Sequence, residues 1–305
     1  KNILLFDLSS LLLERLPAQL AHRLAPRMAY RFLSAEDEEL LHLLGGRGWQ
    51  DINAVVIFGH RVPDICLAIV AKMNGKKVFY IQHGLFKERL ERDWRTVWPL
   101  FRLKAAYYAK SYYAAHTYAP RVVTFSVLLD LLAAAFISNR RLQSVMLKTN
   151  TCVDVAYLYD NAQIRNYHKI FGESFGRCLP VGILDTGRLS PEAPKEKTAL
   201  ILCQSLVEDG RMSETKFINN MKASVAELER DGWSVQLFMH QRTDLSIYCR
   251  MNLKHKIIQN NWMVPSAELY LTDYSSLISE PLAQGRAVSR IAISGHQPMD
   301  DVRVI

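Results

Sequence analysis

The sequence predicts an α/β protein built from two doubly wound parallel sheets. Three observations favour this fold class. Short, continuous apolar runs such as 54–58 and 198–203 are typical of strands buried on both faces. Such runs alternate with helical stretches in both halves of the chain. A segment rich in proline, glycine and charge at 185–197 separates the halves, and 305 residues are enough for two domains of ordinary size.

The N-terminal half begins with an apolar run at 2–8. Residues 34–46 predict a helix, because Ser34 precedes an acidic first turn and a glycine pair follows the last turn. Residues 54–81 then predict strand, helix and strand, the spacing of a βαβ crossover. The second of these strands runs directly into His83, which is therefore placed where ligands bind in open α/β sheets.

The segment 87–148 is a helical insertion rich in Arg, Lys, Tyr and Trp. A basic helix with interleaved aromatic residues is typical of a surface that contacts an anionic membrane or lines an acceptor groove. The alternative is a solvated insertion with an aromatic core face. Within it, 122–136 is apolar but shorter than the ~20 residues that cross a bilayer, which favours a buried helix.

The second half repeats the alternation of strands and helices. Four strands are expected there, at 198–203, 234–239, 256–258 and 268–272. A long amphipathic helix is expected to begin after Ser213 and to end at Arg230. We therefore expect an N-terminal domain over 1–190 and a C-terminal domain over 191–305, facing each other across a cleft. The chain stops in mid-element, so the C-terminal domain is expected to be truncated.

The composition indicates a globular protein with an anionic partner. The net charge of +8 favours a nucleotide, an anionic polysaccharide, a lipid head group or nucleic acid. Nucleic acid is disfavoured, because no recognition motif accompanies the basic residues. The five cysteines are odd in number and form no C-x-x-C pair, which favours reduced thiols in the cytoplasm. No metal-ligand constellation and no cofactor motif is visible, and neither group is expected.

Four polar segments follow predicted strands. They are Gln82-His83-Gly84, the loop from Gln204 to Gly210, His240-Gln241-Arg242, and the segment from Thr272 to Ser276 with Glu280 downstream. In the last one a strand is expected to open into a helix, whose first-turn amides and the hydroxyls of Ser275 and Ser276 would hold a phosphate. Glu280, one turn further on, would accept hydrogen bonds from ribose hydroxyls. The alternative is that Asp273 and the serines only cap the helix.

Two pairs of these segments resemble known families. Asp273-Tyr-Ser-Ser276 and Gln82-His83-Gly84 resemble the teichoic-acid glycerol-phosphate polymerases and related capsule enzymes. The loop at 204–210 and His240-Gln-Arg242 are similar to the bacterial sialyltransferases and to the Kdo transferases of capsule and O-antigen assembly, which use CMP-activated acid sugars. The resemblance covers roughly 78–288 and implies the GT-B fold. It departs at Gln241, where these families usually carry proline.

The resemblance implies roles in donor binding for five residues. His240, Ser275 and Ser276 would bind the donor phosphate. Arg242 would add positive charge beside it. Glu280 would hold the ribose.

Three further residues are candidates for the chemical step. Retaining Kdo transferases place a carboxylate at the anomeric carbon from the loop after the first strand of the C-terminal domain, and Asp209, or else Glu208, is the matching position. A covalent carboxylate intermediate would divide the transfer into two displacements and retain configuration. If the reaction inverts, one carboxylate or His83 would be the general base on the acceptor hydroxyl. The alternative for His83 and Asp209 is a simple turn beside glycine.

Together these motifs imply transfer of an acid sugar, Kdo ahead of sialic acid, from a CMP donor. The acceptor would be a cell-surface polysaccharide or glycolipid, such as capsule or lipopolysaccharide, met at the cytoplasmic face of the membrane. The nearest rival is glycerol-phosphate transfer from CDP-glycerol. A rival of another class is a degenerate transferase domain that scaffolds an envelope-assembly complex. Such a domain would be expected to lose the charged residues at its strand ends, and this sequence keeps Asp209, His240, Asp273 and Glu280.

Overall fold

The structure is a computed structural model in which the chain divides into two compact units. It describes residues 2–7, 29–34, 38–82, 94–136, 141–149, 153–172, 176–181, 189–208, 212–240, 243–253, 256–258, 263–273, 275–291 and 293. Lys1–Leu90 and Arg102–Gly182 form one unit, called here the N-terminal domain. Glu91–Phe101 and Ile183–Ile305 form the other, called the C-terminal domain.

The N-terminal domain contains a six-stranded parallel sheet. Its strands are β1 (Asn2–Asp7), β2 (Ala29–Ser34), β3 (Ala54–Ile57), β4 (Lys77–Ile81), β5 (Val155–Leu158) and β6 (Arg177–Pro180). Their order in the sheet is β2-β1-β3-β4-β5-β6, and every neighbouring pair is parallel. The order reverses between β1 and β3, which makes the sheet doubly wound.

Six helices are described before β6, and five of them lie wholly in this domain; in the helix Trp94–Tyr118 the residues up to Phe101 belong to the C-terminal domain. The six helices are α1 (Glu38–Leu44), α2 (Val62–Met73), α3 (Trp94–Tyr118), α4 (Phe125–Phe136), α5 (Arg141–Thr149) and α6 (Asn161–Phe171). Helix α2 begins after Arg61, whose amide donates to the Asp64 side chain at 3.0 Å, and Pro63 is tolerated in the first turn, where amides lack helical partners. The predicted strand–helix–strand unit at 54–81 is confirmed.

Alternate residues of the central strands enter two different cores. Val55 and Ile57 pack in the large core with most of helix α2, whereas Val56 and Phe58 pack on the other face of the sheet. Since successive side chains of a strand point to opposite faces, an unbroken apolar run means that both faces are covered. This is why these strands lack the polar alternation of a half-exposed sheet.

The C-terminal domain contains a five-stranded parallel sheet. Its strands are β7 (Lys195–Leu202), β8 (Ser234–Phe238), β9 (Ile257–Ile258), β10 (Ala267–Thr272) and β11 (Ala287–Arg290). The sheet order is β11-β10-β7-β8-β9, and all pairs are parallel. If β7 is strand 1 and β11 is strand 5, the order read from the β9 edge is 3-2-1-4-5. The direction of winding reverses between β7 and β10.

The helices of the C-terminal domain differ greatly in length. They are α7 (Glu214–Arg230), α8 (Leu245–Arg250) and α9 (Ser279–Ala283), the last preceded by a 3₁₀ turn at Ser276–Ile278. Helix α7 begins after Ser213 and ends at Arg230, as predicted, and buries Phe217, Met221 and Val225 at a spacing of four residues. Both faces of the sheet are covered, because Ile201 and Leu202 belong to different cores.

The predicted fold class, two Rossmann-like doubly wound domains, is therefore confirmed. Among the described residues, no helix is both long and apolar enough to cross a membrane. Of the described cysteines, all free, Cys66 and Cys203 are buried and Cys178 is partly buried, whereas Cys249 is exposed.

Candidate functional site

The loops that follow β7, β8 and β10 emerge side by side at one edge of the C-terminal sheet. Ile201 of β7 lies between Leu271 of β10 and Leu237 of β8 in the strand register. Because the three strands are parallel, their carboxyl ends meet at that edge. It contains the crossover between β7 and β10, where open α/β sheets bind ligands. These three loops are called here the switch-point edge.

Thr272, the last residue of β10, joins the two sides of the crossover. Its Oγ1 donates a hydrogen bond to the carbonyl oxygen of Leu202 at 3.2 Å and accepts one from the amide of Ser275 at 2.9 Å. The Thr272 side chain is buried. It therefore fixes the loop after β10 against the end of β7. Thr272 was predicted only as the first residue of a polar segment and was given no role. A hydroxyl residue three positions before Ser275 at a strand end is a known local capping pattern.

Ser275 caps the turn that follows β10. Its Oγ accepts a hydrogen bond from the amide of Leu277 at 3.3 Å, and the residue is 3% exposed. This is the interaction expected from the capping alternative. The Ser275 hydroxyl can still donate a hydrogen bond, because an oxygen that accepts one bond keeps its own proton. Ser275 therefore combines a structural contact with a donor at the switch-point edge.

The first turn after Ser275 is 3₁₀ and not α-helical, which differs from the predicted α-helix. Ser276 begins this turn and Glu280 lies in the five-residue helix α9 that follows. The physical reason is Pro281, whose ring would collide with the carbonyl of Leu277 in a continuous α-helix. Glu280 is partly exposed, and it lies downstream of the serines as expected.

Glu208 joins the loop after β7 to the loop after β8. Its Oε1 accepts a hydrogen bond from the amide of Asp244 at 2.5 Å. Asp244 in turn caps helix α8, since its Oδ1 accepts from the amide of Ser246 at 2.9 Å. The Glu208 carboxylate thus lies just before the N-terminus of α8.

His240 follows β8, on the side of β7 away from β10. Met239 extends the strand pairing by donating to the carbonyl of Ile258 at 3.2 Å, and the His240 carbonyl accepts from the amide of Thr243 at 3.0 Å. This turn directs the chain from β8 towards Asp244. The backbone of His240 is therefore fixed at the same edge as Glu208.

Cys203 and Tyr248 lie in the core of the C-terminal domain beneath these loops. Burial raises the pKa of the Cys203 thiol to about 12 and also raises the pKa of the Tyr248 phenol. Both side chains are therefore neutral near pH 7. Their surroundings are apolar, since both belong to the same core cluster. The Glu208 carboxylate also raises the pKa of both side chains, so a charge in the loop after β7 acts on this part of the core.

At the corresponding edge of the N-terminal domain, Gln82 takes part in a network of amide hydrogen bonds. Gln82, which directly follows β4, is 2% exposed. Its Nε2 donates to Oε1 of Gln163 at 2.9 Å, and its Oε1 accepts from the amide of Tyr159 at 2.9 Å. These contacts fix the end of β4 to β5 and α6. The network was not predicted, and the sequence offers no local pattern for a pair 81 residues apart.

His60, which follows β3 at the same edge, is packed among aromatic rings. Its ring centroid lies 4.2 Å from that of Tyr80 and 4.4 Å from that of Phe171. Burial lowers the pKa of His60 to about 3, so that the imidazole is neutral near pH 7. This histidine therefore contributes packing and not charge.

The structure brings Glu208, His240 and Ser275 to one edge, with Ser276 and Glu280 following in the chain. Three predicted residues, His83, Asp209 and Arg242, lie outside the described residues. Within the described part of the chain, no group of three His, Cys, Asp or Glu side chains is placed to hold a metal ion.

No protein-family model matches the chain, and no curated protein matches it. Several solved structures are similar to it. The S. aureus MnaA structure with UDP has a TM-score of 0.48 and 9% identity, over 94% of this chain and 78% of that one. The calicheamicin glycosyltransferase has a TM-score of 0.40 and 16% identity, over 94% and 79%. MurG of Acinetobacter baumannii has a TM-score of 0.39 and 10% identity, over 98% and 88%. At these values the likeness assigns no donor, acceptor or reaction.

Proposed function

We propose that this protein is a GT-B glycosyltransferase that moves an acid sugar, Kdo ahead of sialic acid, from a CMP-activated donor to a cell-surface polysaccharide or glycolipid. One observation carries the proposal. Three polar loops, each singled out by its motif, follow three adjacent parallel strands and meet at the crossover of the C-terminal sheet. A crossover of this kind is where doubly wound sheets bind nucleotides.

In this proposal the donor phosphate lies between the loop after β8 and the loop after β10. His240 and the hydroxyls of Ser275 and Ser276 donate hydrogen bonds to it, and Arg242 supplies positive charge. Glu280 accepts hydrogen bonds from the ribose.

The chemical step is assigned to the loop after β7. In a retaining reaction the carboxylate of Asp209, or of Glu208, attacks the anomeric carbon as the bond to the CMP oxygen breaks. The acceptor hydroxyl then attacks the same carbon, its proton leaves to a base, and the carboxylate is released. In an inverting reaction the hydroxyl attacks directly while His83 or a carboxylate takes its proton.

The first test is calorimetric titration of the protein with CMP, CDP, UMP and UDP. CMP is expected to bind most tightly, and Ser275→Ala/Ser276→Ala is expected to weaken CMP binding at least tenfold through lost hydrogen bonds. Ser190→Ala is a matched control, because Ser190 Oγ accepts an amide two residues ahead at 3.3 Å, the same contact that Ser275 makes.

The outcomes separate the candidate functions. CMP-selective binding that only the double variant loses supports the proposal and leads to transfer assays with CMP-Kdo and CMP-sialic acid. Tighter binding of CDP, with turnover of CDP-glycerol, would replace it with glycerol-phosphate transfer. CMP binding without transfer of any donor would favour the scaffold alternative. No binding of any nucleotide would sink the transferase assignment.

We propose further that the protein works at the cytoplasmic face of the membrane, through a basic aromatic surface on α3 and α4. Residues 94–129 contain no Asp or Glu. Among their cations, Lys110 and Arg121 have described side chains, and both are exposed. Three large apolar side chains in this stretch are more than half exposed, Tyr113, Phe125 and Leu129. Cations beside exposed aromatic residues favour anionic bilayers.

Sedimentation with lipid vesicles tests this surface. The protein is expected to bind vesicles with anionic head groups, to bind neutral vesicles weakly, and to lose binding as salt is raised. Phe125→Ser/Leu129→Ser is expected to reduce binding, whereas Leu147→Ser, a change at an exposed leucine of α5, serves as the control. Equal binding of both variants would contradict the assignment.

A further inference from the structure

Glu208 makes a contact that a catalytic carboxylate does not need. Its Oε1 accepts a hydrogen bond from the main-chain amide of Asp244 at 2.5 Å. The two residues are 36 positions apart and belong to different loops. This hydrogen bond therefore connects the loop after β7 to the loop after β8, and it is called here the tie.

The tie acts on the segment that includes His240 and Arg242. One end of that segment is fixed by β8 and by the turn in which the amide of Thr243 donates to the carbonyl of His240. The other end is fixed at Asp244. Its amide donates a hydrogen bond to Glu208, and its side chain accepts one from the amide of Ser246. His240 and Asp244 are thus each held by hydrogen bonds, which reduces the conformational freedom that these two residues would lose when a ligand binds.

We propose that Glu208 is a positioning residue, which holds the loop of His240 ready for the donor, and that it is not the carboxylate of the chemical step. This inference rests on the proposed function for its ligand. It assigns the attack on the anomeric carbon to Asp209, the other candidate of the same loop. What Glu208 contributes is an acceptor oxygen at a fixed place, and this does not require a charge.

Four variants separate position from charge. Glu208→Gln keeps an acceptor oxygen and removes the charge, whereas Glu208→Ala removes both. Asp244→Pro removes the amide that donates to Glu208, at a φ of −76° that proline accepts. Asp244→Ala keeps the amide and loses only the cap, so it is the matched control for the proline variant.

CMP titration and transfer rates give the first readout. Glu208→Gln is expected to keep both within threefold of wild type. Glu208→Ala and Asp244→Pro are each expected to weaken CMP binding about tenfold, and the double variant is expected to lose no more than either alone, because both remove one bond. Loss of transfer by Glu208→Gln with unchanged CMP affinity would overturn the proposal, as would losses that add in the double variant.

Hydrogen exchange of the Asp244 amide gives a second readout that needs no nucleotide. Its exchange is expected to be slow in wild type and Glu208→Gln and at least tenfold faster in Glu208→Ala. Equal exchange in all three proteins would overturn the tie itself. If wild type binds no nucleotide, the proposed function fails while this measurement still decides whether the tie exists.

Discussion

The two domains share one architecture and differ in what lies beyond their strands. In the N-terminal domain the described residues at this edge include the Gln82 network, His60 among aromatic rings, and the carboxylates of Asp64 and Asp160, which accept amides at the starts of α2 and α6. In the C-terminal domain the same edge contains Glu208, His240 and a serine-rich turn. The difference teaches that two sheets of the same kind can carry unlike groups at their described strand ends, because the loops and not the sheets supply those groups.

The largest effect is expected where the N-terminal domain is most tightly packed. Gly176 has a φ of +71°, and a Cβ added there would lie 2.1 Å from the carbonyl oxygen of Val153. Gly176→Ala is therefore expected to lower the free energy of unfolding by about 3 kcal/mol, because the backbone just before β5 must move and φ becomes strained. Urea denaturation measures this change.

The C-terminal domain provides the control for this substitution. Gly285 has a φ of +69°, but an added Cβ meets nothing within 4 Å. Gly285→Ala is expected to cost only the strain of a left-handed alanine, about 1 kcal/mol. Equal losses in the two variants would show that packing around Gly176 is not the cause.

The next effect compares the two networks at the strand ends. Gln82→Ala is expected to lower stability by about 2 kcal/mol, since Tyr159 and Gln163 lose a buried hydrogen-bond partner, while CMP affinity stays unchanged. Thr272→Val is expected to cost about 1 kcal/mol and also to weaken CMP binding, because the turn at Ser275 loses its support. Weaker CMP binding by Gln82→Ala would end the functional contrast between the domains.

A pH effect is expected from the N-terminal domain. The pKa of His60 is about 3 in the folded protein and near 6.5 when unfolded, so the unfolded chain binds a proton first as pH falls. The stability from this group is fully present above pH 6.5 and is lost progressively down to pH 3. Between pH 6.5 and pH 5 the expected loss is about 2 kcal/mol.

Urea denaturation at both pH values checks this, with His60→Phe as the variant that removes the titrating group. The variant is expected to show a smaller loss by that amount. An equal loss of unfolding free energy between pH 6.5 and pH 5 in His60→Phe would show that another group causes the pH dependence.

The smallest effect concerns the cap of α6. Asp160 Oδ1 accepts from the amide of Gln163 at 2.7 Å, and Asp160→Ala is expected to cost about 1 kcal/mol in urea denaturation. Asp160→Asn, which keeps a capping oxygen, is expected to recover most of the loss. CMP affinity that falls in Asp160→Ala but not in Asp160→Asn would give this cap a role in the site.

Local patterns predicted the elements well. The start and end of α7 were predicted from Ser213 and the apolar stripe, and β8 was predicted to within one residue of its observed end. These features depend on neighbours three or four positions away or on continuous burial, and both are visible in the sequence. The 3₁₀ turn at Ser276 was missed, although Pro281 was the available signal.

The site was only partly predictable, because local patterns do not show which distant residues are hydrogen-bonded to each other. Motifs placed Glu208, His240 and Ser275 at strand ends. The bonds that join these segments connect distant residues, such as Thr272 with Leu202 and Glu208 with Asp244. No period or spacing in a single sequence encodes such pairs. The sequence therefore indicated which residues are polar at strand ends, but not which of them hold the loops.

By itself, the sequence determined that the chain alternates buried strands with helices, in two domains, with polar segments at strand ends. Tertiary structure decided the order of the strands, and with it which polar segments are neighbours. Burial of both faces dictates an apolar run whatever the position of a strand in its sheet. Only packing made β10 the neighbour of β7, so that Thr272 reaches Leu202 across 70 residues and the loops meet at one edge.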